Sequence, residues 1–465
     1  MDVEQLKRLT PLITPEGVMR LMAMRQDPHA PSWNSHAGDM LHGADIAALK
    51  QFRASLEERP RWGHGDGPPD SILDMIRRLR PNTQAFMNNI HEGMDIKRDW
   101  ALVGSTSRED IALRPESLIP ADIELAPMVV YRTAGTTGHS LYVPNDPLAV
   151  ACYQPMLEFA LARHGAVFAP RQEEVACFLV GAQARTVTYP TVLSYWNGAG
   201  FAKLNMNADQ WPGGSSPQEY FRKFSPAFLT GDPISFSRLL GMGLKTCPAA
   251  LVTTAVAMSD GLRKTLSKEF ACPVIDWYSL TETGPIGYAC PAGNGYHILP
   301  GDIYVEAVDP EGAPVDPGAR GEITITGGRN PYLPMLRYRT GDWAAMEHGP
   351  CACGDPSPRL MGLEGRKPVL FKRADGAMVN PVDISTALRE FPMVQSQFEQ
   401  FKDLSCRLVI RPLFAEQTGQ GAAISAALAG VLGQDIPITI EFDPHLGGRN
   451  EDKVVSYRSD FLLED

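Results

Sequence analysis

The sequence predicts an α/β protein. Its large N-terminal domain is built on parallel strands with a small antiparallel, barrel-like unit, and a small α+β domain closes the chain. Three observations predict this. From about residue 147 to 275, strand-like apolar runs alternate with helical segments, the pattern of a parallel sheet with crossover helices. From 300 to 346 short β-like runs, Ile303–Val308 and Glu322–Thr326, are separated by Pro/Gly turns. After Gly365-Arg366 about one hundred residues carry a βαβ-like pattern of their own. The expected division is 1–364 and 365–465.

In order along the chain, residues 1–100 read as helical. Ala44–Leu56 and Asp70–Leu79 place apolar residues three and four apart, and the Gly63–Pro69 cluster separates them. Ser105-Thr-Ser-Arg-Glu-Asp110 is a helix-start signal. Leu148–His164, Pro217–Phe224, Ile234–Leu240 and Gly261–Phe270 read as helices. Val175–Val180, Val187–Val192, Ala249–Thr254 and Pro273–Trp277 read as strands. Ligands of such sheets sit beyond the carboxyl ends of the strands. The strand Pro273–Trp277 would deliver Tyr278-Ser-Leu-Thr-Glu-Thr-Gly284 to that edge. The Gly/Ala-rich stretch Thr418–Gln434 reads as a helix.

Composition narrows the function classes. The 465 residues are 44% hydrophobic and 21% charged, with net charge −11 and dispersed Lys and Arg. That argues against nucleic acid and anionic membranes as main partners. The start, Met1-Asp-Val-Glu-Gln-Leu-Lys7, has no apolar signal region, and no run of 18 apolar residues occurs. Eight cysteines in a chain this long are not a disulfide framework, so a reducing, cytoplasmic location is expected.

The stretch Tyr131-Arg-Thr-Ala-Gly-Thr-Thr-Gly-His-Ser-Leu-Tyr142 is a Gly/Thr loop between two apolar runs. Gly135 and Gly138 permit positive φ and close backbone approach, and Thr133, Thr136 and Thr137 add hydroxyl donors. Successive N–H groups in such a turn make a nest that suits a polyphosphate. No Lys follows the second Gly, so this is not a Walker loop. A surface hairpin turn is the alternative.

Four further pieces follow in order: Tyr278-Ser-Leu-Thr-Glu282, Tyr338-Arg-Thr-Gly-Asp342, Gly365-Arg366 and Asp452-Lys-Val-Val-Ser-Tyr-Arg458. Over roughly residues 95–460 the set resembles the adenylate-forming superfamily of acyl-CoA synthetases, adenylation domains and luciferases. The nearest branch resembles phenylacetate-CoA ligases. The resemblance implies an ATP-dependent, AMP-forming carboxylic acid ligase that makes an acyl-adenylate and pyrophosphate. Transfer to CoA then follows, or to an amine or carrier protein. A nucleotide-binding scaffold without catalysis is a further alternative.

The resemblance also implies roles. Thr133, Gly135, Thr136, Thr137 and Gly138 would hold the β,γ-phosphates of ATP. Thr281 would meet the α-phosphate, and Glu282 would ligate Mg²⁺, a hard cation that favours oxygen ligands. Tyr278 would stack on adenine with Asp276 near its amino group. Asp342 would take the ribose hydroxyls, Arg366 would supply a fixed positive charge, and Lys453 would pair with the substrate carboxylate and α-phosphate. The branch implies an aromatic or heteroaromatic acid, expected beside Gly284, Pro285 and Ile286 and the aromatic stretch Tyr189–Trp196. The expected partners are that acid and CoA or another acceptor, with no nucleic acid and no membrane; a homodimer stays open. The small domain is mobile in the family, and Lys367-Pro368 stands where its pivot is expected. The sequence departs from the family pattern at Ser140-Leu141, Ser279 and Asp452.

Cys290 and His297, with Cys351 and Cys353, supply soft ligands from two segments. Three thiolates and an imidazole would close a tetrahedral structural Zn²⁺ site. His348 competes as fourth ligand, and unliganded reduced cysteines are the alternative. Cys152, Cys177, Cys247, Cys272 and Cys406 read as core.

Overall fold

A computed structural model describes residues 3–58, 67–132, 141–168, 174–182, 186–254, 258–299, 302–365, 371–379, 381–388, 390–446 and 457–461. The Gly/Thr-loop residues Thr133, Gly135, Thr136, Thr137 and Gly138 lie outside them, as do Arg366, Lys367, Pro368 and Lys453.

The strands are β1 (Val129–Arg132), β2 (Tyr142–Asn145), β3 (Val175–Gly181), β4 (Tyr189–Leu193), β5 (Ala199–Asn205), β6 (Phe228–Gly231), β7 (Ala250–Thr253), β8 (Val274–Leu280), β9 (Gly284–Ala289) and β10 (Tyr296–Ile298). They continue with β11 (Ile303–Val308), β12 (Arg320–Gly327), β13 (Met335–Glu347), β14 (Arg359–Gly365), β15 (Phe371–Lys372), β16 (Met378–Val379), β17 (Met393–Gln400), β18 (Cys406–Pro412), β19 (Ile438–Phe442) and β20 (Tyr457–Ser459). β1 and β2, the flanks of the Gly/Thr loop that read as strands, pair antiparallel.

β8, β7, β6, β3 and β5 run parallel, and their residues are largely buried because helices cover both faces. The helices start where the sequence supplies both a cap and a proline. Asp146, Ser216 and Asp232 accept from backbone N–H groups of their first turns, and Pro147, Pro217 and Pro233 follow. The expected helix Leu148–His164 is two, Pro147–Ala151 and Tyr153–Arg163. Pro155 has no N–H to donate to the preceding turn, so the second helix restarts with that proline in its own first turn.

The antiparallel strands expected downstream are present, and they continue the same sheet. The order is β11-β12-β13-β14-β10-β9-β8-β7-β6-β3-β5-β4. The turn 281–283 folds β9 back on β8 as a hairpin, Tyr278 pairing with Gly287. A separate smaller sheet, β19-β18-β17-β20, has its own core around Phe371, Phe398, Leu408 and Leu428. It rests on the helix Asp260–Phe270: Ser259 Oγ donates to the Met393 carbonyl at 2.9 Å, and Lys264 pairs with Glu390 at 3.0 Å. A Cβ on Gly261 would fall 2.4 Å from Pro392 Cα. Among the described residues, no helix is long and apolar enough to cross a membrane.

Candidate functional site

The site forms where β8 ends. Tyr278, two residues before the end of β8, lies on the face that packs against Ile286, Ile298 and Ala344. Its hydroxyl donates to Asp342 Oδ2 at 2.8 Å. Burial and the nearby Asp342 carboxylate hold the phenol protonated. Asp342 belongs to β13, where Gly341 (φ +77) turns the backbone and the Asp342 N–H reaches Thr340 Oγ1 at 3.1 Å.

Glu282, 5% exposed, accepts from the Tyr338 hydroxyl at 2.6 Å, and Arg108 Nη1 lies 3.6 Å from the same oxygen, Oε1. Two tyrosine–carboxylate bonds thus cross-link Tyr278–Glu282 with Tyr338–Asp342, two motifs about sixty residues apart. Oε2 of Glu282 takes no hydrogen bond or ion pair among the described residues. A buried carboxylate with one oxygen held and the other available suits a hard cation.

Asp276 lies on the same face of β8 as Tyr278. Its carboxylate receives Tyr296 Oη at 2.7 Å and Arg263 Nη2 at 3.3 Å, although burial raises its pKa. Tyr296 lies edge-on to Tyr278, ring centroids 6.5 Å apart, so Asp276, Tyr278 and Tyr296 make one aromatic and acidic wall. Gly284 (φ +74) faces the first residue of the helix Tyr153–Arg163: a Cβ there would meet the Tyr153 ring at 3.7 Å. Arg329 donates to the Pro285 carbonyl at 2.9 Å. Ile286 is fully buried in the core shared by Tyr278 and Ile298. In the stretch Tyr189–Trp196, Tyr195 and Trp196 donate to Glu158, which removes those polar ends from any ligand.

Arg108, Tyr153, Tyr296 and Arg329 were not singled out by the sequence reading. Arg108 follows the Ser107 cap of a short helix, and only the fold brings it to Glu282.

The second cluster is Cys290, His297, Cys351 and Cys353, whose ligand atoms all lie within 4.8 Å of one another. Cys290 and Cys351 sulfurs are 3.5 Å apart, and His297 Nε2 is 3.1 Å from Cys353 Sγ. The edges of a tetrahedral zinc site with Zn–S near 2.3 Å come to roughly 3.5–3.8 Å. The Cys290–Cys351 separation matches that edge. The 3.1 Å His297–Cys353 contact is shorter and the widest separation, up to 4.8 Å, is longer, so closing on an ion needs small side-chain shifts. The other ring nitrogen of His297 is 3.2 Å from the Ser357 carbonyl, which fixes the ring. Burial pushes the Cys351 thiol up, but the Cys353 N–H and the Cys290, Cys353 and Asn294 side chains outweigh it and bring the pKa to about 6. The cluster could hold a metal ion. His348 is not part of it. Of the cysteines read as core, Cys152, Cys177, Cys272 and Cys406 are buried; Cys247 is exposed, so that expectation fails for it. Its neighbours Lys245, Thr246 and Pro248 form the polar loop between a helix and β7, which carries it to the surface.

A mixed sheet whose parallel strands pass into antiparallel ones, followed by a separate four-stranded sheet, is a fold that the chain shares with a solved CoA ligase. The chain is similar in structure to 2-hydroxyisobutyryl-CoA ligase in the postadenylation state. With R3-HIB-AMP bound the TM-score is 0.58 at 17% identity, covering 90% of this chain and 89% of that one. With 2-HIB-AMP bound it is 0.56 at 16% identity, over 90% and 89%. In sequence it is 28% identical over 153 residues to phenylacetate-coenzyme A ligase of Thermus thermophilus, 32% of this chain and 34% of that protein. It is 25% identical over 188 residues to protein CapK of Staphylococcus aureus, 38% and 40% of the two lengths. The chain thus matches well under half the length of either curated relative. No family model matches it.

Proposed function

We propose that this chain activates a carboxylic acid with ATP, releasing pyrophosphate, and passes the acyl group from AMP to a thiol, most simply CoA. The observation that carries the reading is the pair of bonds Tyr278–Asp342 and Tyr338–Glu282. They bring two acidic groups and an aromatic ring to one strand end, where a nucleotide sugar, base and phosphates would be met.

In the reaction a carboxylate oxygen of the acid attacks the α-phosphorus, and the bond to the bridging oxygen of pyrophosphate breaks. The step needs alignment and charge neutralisation rather than a protein nucleophile. Tyr278 and Tyr296 would border adenine, and Asp342 would accept the ribose hydroxyls. Thr281 would meet the α-phosphate. The Thr133–Gly138 loop would hold the outer phosphates, and Arg366 and Lys453 would add fixed positive charge. Glu282 would hold Mg²⁺, which supplies charge neutralisation at the phosphates. Tyr338 and Arg108 fix the carboxylate that does so. Gly284 and Pro285 would flank the acid, with Tyr131, Tyr153 and Tyr189 offering the flat apolar surfaces that suit an aromatic ring.

The Cys290–His297–Cys351–Cys353 cluster would hold Zn²⁺ with no open position, a structural role. It would tie the β9–β10 hairpin to the segment before β14, which leads to Gly365-Arg366.

The test is pyrophosphate exchange with a panel of aryl and small aliphatic acids. Exchange dependent on one class of acid supports the reading. Absence of exchange with every acid, in protein that still binds ATP, leaves a nucleotide-binding scaffold and overturns it.

A further inference from the structure

Lys203 lies near the carboxyl end of β5, at the same level as Leu179, Thr230, Val252 and Ile275 of the neighbouring parallel strands. These residues point to the face covered by the helix Tyr153–Arg163. Two residues back along the strands, that face is closed: Cys177, Phe228 and Ala250 are 0–1% exposed. At the level of Lys203 it stays closed on β7 and β8, where Val252 and Ile275 are 0–1% exposed, and opens on the strands beyond them. Leu179, Thr230, Lys203 and, across the antiparallel edge, Tyr189 are all partly exposed, in strands whose other face is packed. The opening is thus confined to β6, β3, β5 and β4, where these four residues leave a hollow on the face that the helix covers.

One end of the hollow is Tyr153, which faces Gly284. Tyr131, 38% exposed overall, lies near Tyr153 and Tyr189, and burial raises the pKa of its phenol. Lys203 lies beyond, paired across the strands with Tyr189. Four strand spacings of about 4.8 Å separate β8 from β5, roughly 19 Å between backbones, and the long lysine stem spans part of that. What remains is on the scale of a single aryl acid.

Lys203 makes no hydrogen bond or ion pair among the described residues, and burial lowers its pKa. A partly desolvated ammonium without an anion is costly, and a ligand that supplies the anion removes that cost.

We propose that Lys203 is the specificity-determining residue of the acid pocket. The acid it selects is aromatic and carries a second anionic group at the end remote from the carboxylate that is activated. The inference rests on the adenylation reading and deepens it. An acid with an apolar far end leaves the ammonium unpaired on binding, so it is rejected by the site even where its ring fits. Sites built around a polar contact reject analogues that lack the partner far more strongly than apolar pockets reject a missing methylene.

The experiment measures pyrophosphate exchange for native protein, Lys203→Met and Lys203→Glu. The acids are phenylacetate, 4-carboxyphenylacetate and 4-(aminomethyl)phenylacetate. The native protein should favour the 4-carboxy acid over phenylacetate by about 100-fold in kcat/KM, within the range of such discrimination. Lys203→Met should reverse the order, with phenylacetate activated faster than by native protein. Lys203→Glu should favour the aminomethyl acid. The same ranking of the three acids in all three proteins overturns the assignment of Lys203 while adenylation stands. No exchange with any acid in any protein overturns both. Unchanged melting temperatures of the variants tie the reversal to the pocket rather than to folding.

Discussion

Tyr338→Phe removes one oxygen from the centre of the site. The hydroxyl is fully buried and donates to Glu282 at 2.6 Å, the short range of a bond to an ionised acceptor. Hydrogen bonds to charged groups contribute about 1.5–3 kcal/mol net, and a buried acceptor left short of a donor loses the full value. Arg108, at 3.6 Å from the same oxygen, keeps the carboxylate partly compensated, so the lower half of the range applies, about 2 kcal/mol. In a chain of this size that lowers the melting temperature by a few degrees. If the bond also aims Glu282 at the nucleotide, the same energy appears in the transition state. At 1.36 kcal/mol per decade, about 2 kcal/mol is a fall of roughly 30-fold in the exchange rate at saturating ATP. The assay is pyrophosphate exchange with the best acid of the panel, read beside the thermal melt. A lowered melting temperature with unchanged exchange would show that the bond only holds β13 to the end of β8. Unchanged values in both would refute the bond itself.

Four other outcomes follow from the same geometry and from the proposed roles. Glu282→Gln keeps the shape but removes the charge, and exchange should fall by about two decades, the scale for losing a preorganised electrostatic partner; near-native exchange would remove Glu282 from the chemistry. Lys453→Ala should cripple adenylate formation but spare acyl transfer from chemically prepared adenylate; equal loss in both steps would mean a structural role. Metal analysis should find about one zinc per chain, absent with a lower melting temperature in Cys351→Ser with Cys353→Ser, and protein purified metal-free without chelator would refute the site. Gly261→Val must push the smaller sheet domain off its helix, because a Cβ would lie 2.4 Å from Pro392 Cα; protease cleavage between the domains should speed up several-fold, and an unchanged digest would mean that the contact is not kept in solution.

The fold class was readable because local and global signals agree in the middle of the chain. Asp146-Pro147, Ser216-Pro217 and Asp232-Pro233 each combine a cap with a proline, and helices start at all three. The strands that escaped the reading lack such punctuation. β5 contains Gly200 and Lys203, and β9 begins Gly284-Pro285-Ile286-Gly287, a run poor in β-formers that pairing on both sides holds extended. The site was readable as motifs but not as contacts. Tyr278 and Glu282 stand out in a short acidic and aromatic run. That their partners are Asp342 and Tyr338, respectively, depends on the crossing of β8 and β13 across three intervening strands, which no spacing in the sequence encodes. Arg108 and Lys203 are two of 43 basic residues, distinguishable only by what the fold buries around them.

The turn 281–283 explains why these contacts fall together. β8 is the last parallel strand, and its carboxyl end is where a sheet of this kind presents ligands. By reversing at once into β9, the chain makes that end an interior position of one continuous sheet instead of an edge. The face bearing Ile275 and Trp277 then looks to the helix Tyr153–Arg163 and the hollow that ends at Lys203. The face bearing Asp276 and Tyr278 looks to the antiparallel strands and Asp342. Thr281 and Glu282 stand at the turn between the two. An acid on one face and a nucleotide on the other would meet only there, at the two residues whose chemistry suits a phosphate and its metal ion.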